Sequence, residues 1–113
     1  MKVNENIELF NEDCFDTFKR IQDKSIDLVL TDPPYGMSFQ SGYRKIKHEK
    51  ILNDDNLDWL PKWCEEIHRV SKDDSHLYIF CSWHKIDVFK KELEKYFKIK
   101  NILIWEKNNT GMG

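Results

Sequence analysis

Asp32, Pro33, Pro34 and Tyr35 place an acid, two imino acids and a phenol in direct succession. Asp32 precedes a proline, so its backbone is held extended. Pro33 and Pro34 fix φ and remove two backbone N–H donors. The stretch therefore presents acceptors, the Asp32 carboxylate and the Pro33 carbonyl, with no competing donor between them. Tyr35 adds a flat face, and Gly36 lets the chain turn away. Two acceptors beside an aromatic plate suit a planar ring that carries an amino group. The amine would give its two hydrogens to Asp32 and Pro33 while Tyr35 stacks on the ring. A ring amine is a poor nucleophile because its lone pair is delocalised. Holding both N–H bonds favours a more tetrahedral nitrogen and aims the lone pair at an electrophile, which is catalysis by orientation and electrostatics.

The elements that must hold this stretch alternate along the chain. "IELF", 7–10, reads as a short strand. Asp13 follows as a helix N-cap, with Phe15, Phe18 and Ile21 or Gln22 at helical spacing. "SIDLVLT", 25–31, is a second strand whose continuous Leu28-Val29-Leu30 run suits burial on both faces. Residues 32–56 are long, polar and without a convincing period; inside a compact domain such a loop is usually functional or disordered. After Asp58, a plausible cap, Leu60, Trp63, Cys64, Ile67 and Val70 make one apolar stripe, with Pro61 tolerated in the first turn. "HLYIFCSW", 76–83, is a third strand. A helix over roughly 84–97 buries Ile86, Phe89, Leu93, Tyr96 and Phe97, and "KIKNILIWE" is a fourth strand. Strand and helix in alternation predict a parallel α/β sheet with right-handed crossovers. Ligands in such sheets bind at the carboxyl ends of the strands, where Asp32 stands.

Composition narrows the class. At 113 residues the chain is at most one domain, and its 40% hydrophobic and 34% charged residues are an ordinary soluble balance. No apolar run approaches a membrane span of roughly 18 residues, and the polar first residues do not read as a signal peptide, so the cytoplasm is the default compartment. The formal charge of −2 gives no global attraction to nucleic acid. One local exception is "SGYRKIKHEK", 41–50, where Arg44, Lys45, Lys47 and Lys50 face the single acid Glu49. By itself such a run is a solvated loop; beside a site needing phosphate contacts it becomes a binding segment. Cys14, Cys64 and Cys81 are far apart, lie among apolar neighbours and read as reduced core residues without metal-ligand spacing. His48, His68, His76 and His84 show no metal logic either.

The acid-Pro-Pro-aromatic loop closely resembles the catalytic motif of the DNA amino-methyltransferases, which act on adenine N6 or cytosine N4 with S-adenosylmethionine. An Asp in the first place is more usual for adenine. The segments "NEDCFDTFKRIQDKSIDLVLTDPPYG", "HLYIFCSWHKI" and "ILIWEKNNTGMG" look like family segments in family order, so the resemblance covers essentially the whole chain. It implies a Rossmann-like sheet and a catalytic loop of Asp32, Pro33, Pro34 and Tyr35. It also implies an acid near the end of the first strand, here Asp13, that contacts the adenosine end of the cofactor. The N-cap reading of Asp13 is compatible with that role. A target base must leave the stack to react, so the basic loop, with Tyr43, Arg44, Lys45 and Lys47, is expected to hold phosphates around it. Ser82 and Trp83 either line the site or belong to the core; Trp105 and Lys107 match a family segment without an assignable role.

A complete enzyme of the family also carries a Phe/Pro-x-Gly-x-Gly loop for the methionine part of the cofactor, and no such segment occurs here. In one permuted subgroup the catalytic half comes first. Residues 1–113 therefore resemble a single partial domain, the catalytic half of a DNA adenine methyltransferase of restriction-modification or orphan type. It is expected to be inactive or nearly so alone. Missing neighbour strands would leave open sheet edges that invite a homodimer or a strand-swapped assembly. Two alternatives stand beside this reading: a cytosine N4 methyltransferase, and a non-catalytic nucleic-acid-binding remnant or partner-dependent half.

Overall fold

A computed structural model of the chain describes residues 1–35 and 56–108. The chain is mixed α/β, in the order β1 (Lys2–Asn4), β2 (Ile7–Glu8), α1 (Cys14–Phe18), β3 (Ile26–Thr31), α2 (Leu60–Val70), β4 (Ser71–Ile79) and α3 (Ile86–Leu93). β3 and β4 pair in parallel, as the alternation predicts, and β1 and β2 form a separate antiparallel pair.

The core is built from the α2 stripe. Leu60, Trp63, Cys64 and Ile67 are buried together with Phe89 and Leu93 of α3. Val29 of β3 and Leu77 and Ile79 of β4 pack against them from one face of the sheet. Trp59 meets Trp63 edge to face at 5.5 Å and Phe89 at 6.4 Å, a geometry that aromatic quadrupoles favour. α2 begins with Trp59 as its N-cap, not Asp58, and no side chain caps it; Pro61 fits because the first helical N–H groups lack partners in any case.

Several expected elements take another form. Leu28 and Leu30 are 55% and 66% exposed, because α2 and α3 lie on the opposite face and no described element covers theirs. β4 starts at Ser71 and ends at Ile79, earlier than the apolar run suggests. Its polar beginning is recruited by β3: Ile26 pairs with Ser71 and Leu28 with His76, so the ladder bulges between them. Ion pairs Lys24–Asp73 at 3.1 Å and Lys72–Asp27 at 2.8 Å cross the same region. "IELF" supplies only Ile7 and Glu8 to a strand, which folds back on β1 through a turn where Asn4 Oδ1 accepts from Asn6 N at 2.7 Å. A local hairpin closes at less entropy cost than a distant pairing. "KIKNILIWE" forms no strand; Ile104 and Trp105 are 85% and 75% exposed. Cys64 is buried and Cys81 half-buried, but Cys14 is exposed on the first turn of α1 rather than in the core.

Arg69, near the C-terminus of α2, organises the connection from α1 to β3. Its guanidinium donates to the Phe18 carbonyl at 2.7 Å, the Ile21 carbonyl at 2.9 Å, Asp23 at 2.6 Å and Glu66 at 2.6 Å. Lys24, at φ 49°, turns the chain into β3, and its N–H reaches the Arg69 carbonyl at 2.9 Å. A left-handed lysine is held there by that bond and by the Asp73 ion pair.

Candidate functional site

β3 delivers the Asp32–Tyr35 loop at its carboxyl end, next to the exit of β4. The register Thr31 opposite Ile79 is extended by a bond from the Phe80 N–H to the Thr31 carbonyl at 2.9 Å. Asp32 is exposed and Pro33 is buried, with Pro34 and Tyr35 half-buried. The loop is thus anchored at the first proline while its carboxylate stays in solvent. Tyr35 does more than present a ring: its hydroxyl donates a hydrogen bond to Asp32 Oδ1. The acid that the sequence assigns to the amine and the phenol that it assigns to the ring are thus already joined.

The β4 side of this edge carries Ser82 and Trp83. Ser82 is buried, and its hydroxyl oxygen accepts from the His84 N–H at 3.3 Å, while its carbonyl accepts from the Lys85 N–H at 3.0 Å. Trp83 is not core: it is 76% exposed, with its ring 3.8 Å from the imidazole of His84. Trp105 lies with its ring 6.1 Å from Phe80. His68 is a packing residue, between Tyr96 at 5.2 Å and Phe97 at 5.5 Å.

Asp13 is the N-cap of α1, where Oδ1 accepts from the Phe15 N–H at 2.9 Å. It is exposed and makes no described bond to the Asp32 loop. Neighbouring Glu12 is engaged with Arg20 and Thr17; the Arg20 guanidinium lowers its pKa. Tyr43, Arg44, Lys45 and Lys47 lie outside the described residues. Two concave regions of the described surface are lined by residues 94–99 and by Lys90 with 99–102, away in sequence from the loop and from β4's exit. Among the described residues no group of three or more His, Cys, Asp or Glu is arranged to hold a metal ion, and no helix is long and apolar enough to cross a membrane.

Burial raises the thiol pKa of both Cys64 and Cys81 to about 11, and nearby carboxylates, Glu92 and Asp87 respectively, add to the rise. Both are protonated near neutrality, which excludes them as thiolate nucleophiles. Sequence reasoning missed Arg69, whose partners lie 46 to 51 residues upstream for all but Glu66. A basic residue in a helix's last turn is a common dipole partner and carries no hint of such distant carbonyls.

The described residues define a mixed α/β protein in which the Asp32–Tyr35 segment leaves the parallel β3–β4 pair at the carboxyl end of β3. A family model described as DNA methylase, of the N6/N4 type, matches residues 26–113, and the chain belongs to that family. It is 29% identical to the type II methyltransferase M2.MboI of Moraxella bovis, over 94% of this chain and 43% of the relative. It is also 29% identical to the DNA adenine methyltransferase YhdJ of Escherichia coli K12, over 96% of this chain and 36% of the relative. With the type II methyltransferase M2.LlaDCHI of Lactococcus lactis the identity is 30%, over 93% and 43%. The chain thus spans about two fifths of the length of these relatives.

Proposed function

We propose that the chain is the catalytic region of a cytoplasmic, site-specific DNA methyltransferase that modifies adenine N6, with S-adenosylmethionine as methyl donor. The observation that carries this reading is the Asp32–Tyr35 segment at the carboxyl end of β3, with Pro33 buried and the Asp32 carboxylate exposed. The Asp32 carboxylate and the Pro33 carbonyl accept the two hydrogens of the target amine, and the Tyr35 ring stacks on the base. The Tyr35 hydroxyl gives up its bond to Asp32 when the amine arrives. These contacts orient the nitrogen and concentrate its lone pair without covalent participation by the protein. Asp at position 32 and a relative whose name specifies adenine both favour adenine over cytosine.

Bound S-adenosylmethionine supplies an electrophilic methyl group. Among the described residues Asp13 is the group offered to it, with one carboxylate oxygen already accepting from the Phe15 N–H. In this reading the holder belongs to the part of the relatives' length that the chain does not span.

The test is transfer of labelled methyl from S-adenosylmethionine to unmethylated DNA, by the chain alone and by the chain joined to the remaining portion of a relative. Activity is expected only in the joined form, with N6-methyladenine as the product nucleoside. Asp32→Ala should lower it at least about 100-fold, the scale for removing one preorganised electrostatic partner. N4-methylcytosine in the product would move the assignment to cytosine. DNA binding without transfer in any form, indifferent to Asp32→Ala, would make the chain a binding module.

A further inference from the structure

We propose that Trp83, backed by His84, is a base-stacking platform for an unpaired nucleobase beside the catalytic loop. The inference rests on the nucleic-acid reading of the same sheet edge and adds a residue to it. Trp83 follows β4 just as Asp32–Tyr35 follow β3. The two strands are hydrogen-bonded up to Phe80 and Thr31, and neighbouring strands lie about 4.8 Å apart. Both segments therefore leave the sheet side by side, one with acceptors and one with an indole.

The indole is held out of the core. Trp83 is 76% exposed, and its neighbour Ser82 is buried. Ser82 accepts hydrogen bonds from the backbone N–H groups of both His84 and Lys85, which fixes the turn that projects the ring. His84 lies against the indole at a 31° interplanar angle and a 3.8 Å centroid distance, so one ring face has a partner. Trp105 is equally exposed but meets Phe80, the last residue bonded to β3, and offers no such turn. A large, pre-positioned aromatic surface at strand ends that bind nucleic acid is suited to stacking, which is tolerant of base identity because every base has a π-face.

The experiment is fluorescence anisotropy of a labelled single-stranded oligonucleotide, titrated at several salt concentrations with the full chain and its Trp83→Ala, Trp83→Phe and Asp32→Ala variants. Thermal melts of each variant accompany the titrations. Trp83→Ala is expected to weaken binding roughly tenfold or more with an unchanged melt, and Trp83→Phe to stay near wild type, since a phenyl ring also stacks. The salt slope should not change, because no phosphate contact is lost. Wild-type binding in Trp83→Ala, equal loss in Trp83→Phe, or no binding by the wild-type chain would overturn the proposal. The assay contains no methyl donor, so failed methyl transfer and failed stacking are read separately.

Discussion

The two faces of the β3–β4 sheet have similar sequence and opposite surroundings. On one face Val29, Leu77 and Ile79 lie under α2 and α3 in a continuous apolar core. On the other, Leu28, Leu30, Tyr78 and Phe80 are each at least two fifths exposed. Parallel sheets are ordinarily covered on both sides. Strand sequence states which faces are apolar enough to be covered, but only another element supplies the cover. Here α2 and α3 supply it once.

The largest effect that sharpens this contrast is expected on the covered face. Phe89 is 2% exposed and meets the core from α3. Phe89→Ala should cost about 3–5 kcal/mol, the loss of transfer free energy plus a cavity, and denaturant melts should show it. A loss under about 1 kcal/mol would mean that the helices do not pack on the sheet as described. The next effect is alkaline. The folded pKa of Cys64 is raised above its unfolded value of 9.0 to about 11 by burial. A raised acid pKa favours the protonated form in the folded state, so the contribution is intact below pH 9 and is lost as pH rises from 9 towards 11. Stability measured across that window should fall, and Cys64→Ala, while weaker overall, should flatten that part of the curve. Least of all should be felt on the open face: Leu30→Lys is expected to change stability by no more than about 0.5 kcal/mol, as for ordinary surface positions, and to increase solubility. A large destabilisation would show that Leu30 has a partner in solution, which would break the comparison.

How much of this was legible in the sequence depends on how local each feature is. All five residues of the α2 stripe are buried as their spacing predicts, because a 3.6-residue period is decided within one helix. The strand expected over 25–31 matches β3 to within a residue for a similar reason. "IELF" and "KIKNILIWE" read as strands from apolar content alone, but a strand exists only with a neighbour. β2 found one in β1, and residues 102–105 found none among the described residues. Ser71–Asp74 could not be read as strand; their residues are polar, and it is the ladder to β3 that makes them one. At the site, residue types were legible and bonds were not. Asp32, Pro33, Pro34 and Tyr35 stand together at a strand end, yet nothing in their order tells that Tyr35 donates to Asp32. Exposure of Trp83 was equally invisible, since an apolar run does not show where its strand stops.

Arg69 can finally be considered as a knot in the chain rather than a contact. It fastens Phe18, Ile21 and Asp23 to α2 across intervals of 46 to 51 residues, and the Ser25 N–H, bound to the Val70 carbonyl at 2.9 Å, tightens the same closure. The entropy of closing a loop grows only with the logarithm of its length, about 0.6 kcal/mol per doubling. An interval of that size is therefore only slightly costlier to close than one half as long, so the fastening of α1 to α2 depends little on how much chain lies between them.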